Sequence, residues 1–365
     1  MNESNDNRSD PFDLVDGASG KVLEIKDQVW EHQKIARDPS YPIERRLESY
    51  EDIIDSEVGD TAMVRARNIE RKVLLRQIYL KFEGGNPSGT QKDRIAFAQA
   101  MDAMRRGFDG ITVASCGNYG VAAALASSLA GIDCIIFIPK DYHTKRIGEM
   151  EELGAKIVRS GEDYEDSVKR SREYAQTHEF YDANPGGANT TLQLQAYGQI
   201  AYEIYDDLRD APQVVAVPVS NGSTIAGIYK GFLSLYRRGK TSRMPKMVAG
   251  SSYRKNAIIQ AFINGLDSCP DLEPAKIRET EVNEPLINWH SIDGDLALEA
   301  IRNTGGWAGN ASDSKMRSYS KLIRNKEGLN VLPASTAGLI AFIQRHQRDP
   351  FPNDRYVVIL TGKKQ

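Results

Sequence analysis

From residue 78 onward, short runs of apolar and β-branched residues alternate with longer stretches in which apolar positions return every three or four residues. The short runs, at 78–82, 110–114, 134–138, 156–158, 214–219, 247–250 and 356–360, are bounded by turn residues and predict strands buried on both faces. The longer stretches, at 92–106, 119–130, 145–153, 163–177, 191–208 and 224–237, carry the helical period. Four of them are followed within two residues by Gly107, Gly131, Gly154 and Gly239, which supply the left-handed residue that commonly ends a helix. Strand then helix, repeated along a chain, predicts an α/β architecture with parallel sheets flanked by helices. The stretch 264–284 is polar, holds Pro270 and Pro274 and has no period, so it predicts a surface excursion ahead of a helix beginning near Asp293.

Composition narrows the function classes. A length of 365 residues suits about two domains at roughly 150 residues each. The 47 Lys and Arg against 50 Asp and Glu leave a net charge of −3, so there is no basic field for a nucleic acid or an anionic membrane surface. No apolar run approaches the ~20 residues of a membrane span. Residues 1–10 are polar, without the basic-then-apolar order of a secretion signal, and a disordered tail over 1–15 is expected. Cys116, Cys134 and Cys269 are odd in number and form no Cys-x-x-Cys, which fits a reducing, cytoplasmic setting. His32, His143, His178, His290 and His346 lack metal-ligand spacing, and no metal is expected.

Three strand ends carry candidate chemistry. In Lys81-Phe82-Glu83-Gly84-Gly85-Asn86-Pro87-Ser88-Gly89-Thr90-Gln91-Lys92-Asp93-Arg94 a strand runs into a turn, and Lys92 stands where the next helix begins. Open α/β sheets bind ligands at the carboxyl ends of their strands, so the Lys92 amine faces such a site; the plainer reading is a surface loop with a solvated lysine. Ala114-Ser115-Cys116-Gly117-Asn118-Tyr119-Gly120 repeats the plan. Ser115 and Asn118 there either hold an anion together with free helix N–H groups or only cap that helix. Val219-Ser220-Asn221-Gly222-Ser223-Thr224-Ile225-Ala226-Gly227 follows a fully apolar strand, and its small residues let backbone amides converge as a phosphate cup, with hydroxyls from Ser220, Ser223 and Thr224. It matches neither G-x-x-x-x-G-K-[ST] nor G-x-G-x-x-G, which disfavours a nucleotide loop and a dinucleotide fingerprint.

In this order the three segments resemble the fold type II family of pyridoxal-phosphate enzymes, and within it the threonine synthases, over roughly residues 59–362. The resemblance implies a two-domain fold like that of the tryptophan synthase β subunit, with a large cofactor-binding domain from 16–95 plus 206–365 and a small domain from 96–205. It implies pyridoxal 5′-phosphate as cofactor. Lys92 matches the family's Schiff-base lysine, in a context similar to N-P-T-G-S-F-K-D-R. Asn118 matches the asparagine of S-x-G-N that bonds the cofactor's phenolic oxygen. Ser220, Asn221, Gly222, Ser223 and Thr224 fall where the family's glycine-rich loop binds the cofactor phosphate. Thr361, ahead of Gly362, resembles the hydroxyl residue facing the pyridine nitrogen, a neutral partner that suits eliminations and replacements at Cβ or Cγ. Thr90, Ser115 and Gly117 are implied as substrate contacts.

Departures from the family pattern bear on the substrate. Threonine synthases carry an arginine after an Asn-Pro, in N-P-x-R-x-x-G-Q-K-T, that reads the substrate's phosphate. Here Asn184-Pro185 opens a different stretch, and alignment on Ala201-Tyr202-Glu203-Ile204 puts Gln193 near the arginine's position as an uncharged substrate contact. The family's early T-P-L is replaced by Gly59-Asp60-Thr61-Ala62-Met63, and the phosphate loop has fewer glycines. The implied activity is a pyridoxal-phosphate lyase resembling threonine synthase, acting on an activated amino acid such as O-phosphohomoserine. The alternatives are β-elimination or β-replacement on a serine-type amino acid, by a dehydratase or a cysteine- or cysteate-type synthase, and a cofactor-binding regulatory protein of the same fold. Without the arginine, phosphohomoserine is expected to bind poorly unless Lys145, Arg146 or Arg254 folds back over the site. The chain ends three residues after Gly362, so no C-terminal regulatory domain is expected. The family resemblance also implies a homodimer whose other partner is a small amino-acid substrate.

Overall fold

The computed structural model describes residues 25–142, 144 and 146–364. The expected tail at 1–15 lies outside the described residues, as do His143 and Lys145. The chain opens with α1 (Ile25–Arg37) and α2 (Ile43–Glu57), followed by β1 (Met63–Arg65), α3 (Arg67–Val73) and β2 (Ile78–Phe82). A 3-10 turn at Glu83–Gly85 leads into α4 (Lys92–Arg105). There follow β3 (Gly110–Ala114), α5 (Asn118–Ala130), β4 (Asp133–Ile138), α6 (Arg146–Glu152), β5 (Lys156–Arg159), α7 (Tyr164–His178), β6 (Tyr181–Asp182) and α8 (Thr190–Leu208). The last part holds β7 (Val214–Pro218), α9 (Ser223–Arg237), β8 (Lys246–Ser252), α10 (Ala257–Ile263), α11 (Gly294–Asn303), β9 (Trp307–Ala311), α12 (Asp313–Glu327), α13 (Ala337–Arg348) and β10 (Tyr356–Leu360).

The strands form two sheets. One has the order β1-β2-β10-β7-β8-β9, parallel except for β1 against β2; the other, β5-β4-β3-β6, is parallel throughout. Helices cover both, as the sequence pattern predicts for an α/β chain. The physical reason is visible in β3, β7 and β10, where every residue is buried because helices pack on both faces. All seven expected strands are present. Three more, β1, β6 and β9, carry no apolar run, and pairing with a neighbour makes them strands: β9 takes its register from β8, Val248 opposite Trp307 through Ser252 opposite Ala311.

The region 264–284 is a mostly exposed excursion whose regular structure is a 3-10 turn at Pro274–Lys276, and α11 begins just after Asp293. Between the sheets, α8 and α9 pack backbone to backbone. A Cβ at Gly231 would meet the carbonyl oxygen of Gly198 at 2.5 Å, so only glycine lets the helices come this close. That contact brings Tyr197 of α8 under the start of α4, where the ring lies 5.9 Å from the Lys92 amine.

Candidate active site

The loops after β2, β3, β7 and β10 meet at one cleft. It is lined by Gln91 and Lys92, by Asn118, by residues 218–225 and by Thr361, with Pro285, Leu286, Leu332 and Ala334 closing the sides. These are the carboxyl ends of parallel strands, where the topology leaves a crevice.

Lys92 opens α4, and its Nζ sits over two aromatic faces, 5.6 Å from the ring of Tyr119 and 5.9 Å from that of Tyr197. Tyr119 is held in place because its hydroxyl donates to the Ala183 carbonyl at 2.6 Å and accepts from Gln99 Nε2 at 2.5 Å. The loop before Lys92 is pinned to the end of β10: the Gln91 amide donates to the Thr361 carbonyl at 3.0 Å and the Lys363 amide to the Gly89 carbonyl at 2.9 Å. Thr90 is buried in that loop and its Oγ1 accepts from the Lys92 amide at 3.2 Å. Asp93 takes the Ser88 amide at 2.9 Å, and burial raises its carboxyl to about 6 against those bonds.

At the second loop, Ser115 Oγ accepts the amides of Gly120 at 2.8 Å and Gly117 at 3.4 Å, so its side chain caps α5. Asn118 faces the cleft. Gly117 is overlain by Glu284, whose Oε1 would stand 3.6 Å from a Cβ there. Burial pushes the Cys116 thiol up to about 12, so it is inert as a nucleophile.

The third loop is braced from behind. Gly222 has φ +101°, and a Cβ on it would meet the Asp293 carbonyl oxygen at 2.6 Å. Asn256 Nδ2 donates to the Ser220 carbonyl at 3.0 Å, Asn288 Nδ2 to Asn221 Oδ1 at 2.7 Å, and the Asp293 amide to the Asn221 carbonyl at 3.0 Å. Ser223 donates its hydroxyl to the Asp293 carboxyl, which burial holds above the usual carboxylate range against that bond and the charge of Lys92. The amides that open α9 have no intrahelical acceptor and stay available to a ligand. Thr361 closes the far side: its Oγ1 is 3.1 Å from Ser335 Oγ, and Ser335 also takes the Gly362 amide at 3.1 Å.

Not every sequence-derived candidate lies on the cleft. Lys92, Asn118, Ser220, Asn221, Gly222, Ser223, Thr224 and Thr361 line it, while Thr90, Ser115 and Gly117 belong to its rim loops. Gln193 does not line it: the residue is 1% exposed and its Nε2 donates to Gln99 Oε1 at 3.1 Å, in the polar cluster that fixes Tyr119. Arg254 is exposed, its guanidinium 5.2 Å from the Tyr253 ring.

Sequence reasoning missed the supports. Asn256, Asn288, Ser291 and Asp293 stand behind this loop, and of these Asn256 and Asp293 leave a local trace, as the residues that open α10 and α11. It also missed a buried ion network below the Lys92 loop, in which Arg94 bonds Glu83 and Glu203 while Lys81 bonds Glu203 at 2.6 Å.

The chain matches the family described as pyridoxal-phosphate dependent enzyme over residues 54–362. It is 28% identical over 305 residues to a threonine synthase of Methanocaldococcus jannaschii, covering 83% of this chain and 74% of that one. To a threonine synthase of Methanosarcina acetivorans it is 26% identical over 335 residues, 91% of this chain and 78% of the relative. Among solved structures, the serine racemase of Dictyostelium discoideum superposes with a TM-score of 0.70 at 16% identity, covering 87% of this chain and 97% of that one. Processed threonine deaminase isoform 2 from Solanum lycopersicum gives a TM-score of 0.72 at 15% identity, covering 94% and 86%. At such identities these two structures speak for the fold.

Proposed function

Because the chain belongs to the family of pyridoxal-phosphate dependent enzymes, we propose that it is a lyase like threonine synthase, acting on an amino acid activated at its far end such as O-phosphohomoserine. The cofactor is pyridoxal 5′-phosphate, which when bound acts as an electron sink for charge developing beside the amino group of the substrate. The cleft fits it: a loop of small residues packed so closely on Asp293 that its Gly222 has no room for a Cβ, the start of α9 for the phosphate, an amine between two aromatic faces and a neutral hydroxyl. The threonine synthase relatives do not favour the serine-type β-chemistry or a regulatory protein without activity.

Each residue then has a task. The amides and hydroxyls of Ser220 to Thr224 bind the phosphate with no lysine or arginine. Asn118 orients the ring from the start of α5. Thr361, held by Ser335, would offer the ring a hydroxyl without adding charge. Lys92 would carry the cofactor, and its free amine would take the proton at Cα of the substrate. Tyr119 and Tyr197 keep water from that amine. Thr90, Ser115 and Gly117 hold the loops that receive the substrate carboxylate.

The observation that carries this reading is the meeting of Lys92, Asn118, the 220–224 loop and Thr361 in one cleft from four separate strand ends. The test is product analysis with O-phosphohomoserine, serine and threonine offered separately. Release of phosphate together with threonine supports it; a 2-oxo acid from serine, with phosphohomoserine untouched, would replace it by β-elimination.

The finer organisation belongs to the same proposal. Of a large domain from 16–95 plus 206–365 and a small one from 96–205, the six-stranded sheet supports the first from β1 onward and the four-stranded sheet the second, while α1 and α2 pack on α4 and α5 beside the smaller sheet. The unpaired thiols of Cys116, Cys134 and Cys269 support a reducing, cytoplasmic setting, and the family resemblance supports a homodimer.

A further inference from the structure

We propose that Arg146 binds the distal phosphate of the substrate, so that the anion is read from the β4 side of the cleft and not from the β6 side where Gln193 lies. The proposal rests on the amino-acid lyase reading above. In the order β5-β4-β3-β6, the loop 115–118 follows the inner strand β3. On one flank β6 leads to α8 and Gln193, whose amide is committed to Gln99 and to the Asn184 carbonyl. On the other flank β4 leads to α6, which begins with Arg146.

Arg146 has a side chain only 14% exposed, and its Nη1 pairs with Glu149 Oε2 at 2.8 Å. Its Nε and Nη2 are buried and have no hydrogen-bond partner among the described residues. Those two nitrogens form the edge by which a guanidinium forks onto two oxygens of a phosphate or carboxylate. A buried fork left open is costly in the unliganded protein and is satisfied by an incoming oxyanion.

The surroundings relate that fork to the cleft. Arg146 lies near enough to Asp93, the neighbour of Lys92, and to Glu284 for their charges to act on it. Glu284 overlies Gly117, and the next two residues, Pro285 and Leu286, line the cleft. Neither carboxyl bonds Arg146 in place of a ligand; the guanidinium's ion-pair partner among the described residues is Glu149. Burial holds Glu284 at about 7 and Asp93 at about 6, so both can take up a proton as an anion arrives beside them.

The test is calorimetric titration of the cofactor-loaded protein with 2-amino-5-phosphonopentanoate and with norvaline, its counterpart without the phosphonate, while the visible absorbance is followed. The wild type should bind the phosphonate at least tenfold more tightly than norvaline. Arg146→Gln should lose at least tenfold in phosphonate affinity with norvaline unchanged within twofold, and Arg146→Lys, which keeps the charge but not the fork, should recover part of the loss. An unaltered phosphonate preference in Arg146→Gln overturns the assignment of Arg146 while leaving the lyase reading in place. If neither ligand binds or changes the absorbance, the amino-acid reading falls and this inference with it.

Discussion

Arg94 and Glu203 face each other through two parallel bonds, Nη1 to Oε1 at 2.6 Å and Nη2 to Oε2 at 2.9 Å, and so join the helix that begins with Lys92 to α8. Glu83, fully buried, takes the other edge of the guanidinium at 2.6 and 2.9 Å. The same carboxyl of Glu203 receives Lys81. Bidentate geometry on both sides makes this a rigid floor for the loop that presents the amine.

Removing Arg94 leaves the buried Glu83 without its cation and Glu203 with Lys81 alone. Arg94→Leu should therefore cost about 3–5 kcal/mol of stability, read from the shift of the urea midpoint at unchanged slope. The pairing also predicts acid sensitivity. Burial works to raise Glu203, but Arg94 and Lys81 bring it from 4.5 down to about 2. A lowered carboxyl stabilises the fold above pH 4.5, and that contribution should fade as pH falls through 2, visible as a falling midpoint in acid.

Lys92→Ala should abolish turnover and the visible absorbance of the lysine-bound cofactor. Borohydride reduction followed by peptide mapping checks the assignment, since a labelled peptide elsewhere in that variant would move the role to another lysine.

Gly222 tolerates no side chain at φ +101° against the Asp293 carbonyl. Gly222→Ala should weaken cofactor affinity at least tenfold in an absorbance titration, and Gly222→Asp, which adds a carboxylate to the cup, should weaken it further while the far-ultraviolet spectrum stays that of the wild type. Unchanged affinity would place the phosphate outside this loop.

Glu284 predicts a pH dependence of the opposite sign. Burial raises its carboxyl from 4.5 to about 7, so the folded protein holds a proton that the unfolded chain releases above pH 4.5, and stability declines from there toward pH 7. Glu284→Gln should remove that decline, gaining on the order of 3 kcal/mol relative to the wild type at pH 8 and nothing at pH 4. Parallel pH–stability curves for the two proteins would refute the assignment.

What the sequence determined by itself were the features that local physics writes locally. Strands β7 and β10 were legible because parallel strands buried on both faces must be apolar throughout, β2 and β3 because their runs are mostly apolar, and all their ends because Gly, Asn and Ser gather where a chain turns into a helix. Since ligands of such sheets bind at strand ends, the gathering of Lys92, Asn118, the 220–224 loop and Thr361 at one cleft was legible with them. Tertiary structure alone decided what depends on neighbours distant in the chain. Strand β9 exists by pairing with β8, and Trp307 to Ala311 carries no apolar run to announce it. Arg94 finds Glu203 across 109 positions, and the cup is braced by Asp293, 70 positions beyond Ser223. Gln193, aligned by sequence to an anion-reading position, is committed by packing to Gln99, whereas Arg146, one cation among many in the sequence, is left by burial with an open fork beside the cleft. A side chain's type is fixed by the sequence, but whether its polar atoms are already satisfied depends on which elements fold against it, and that difference separates a strut from a binding residue.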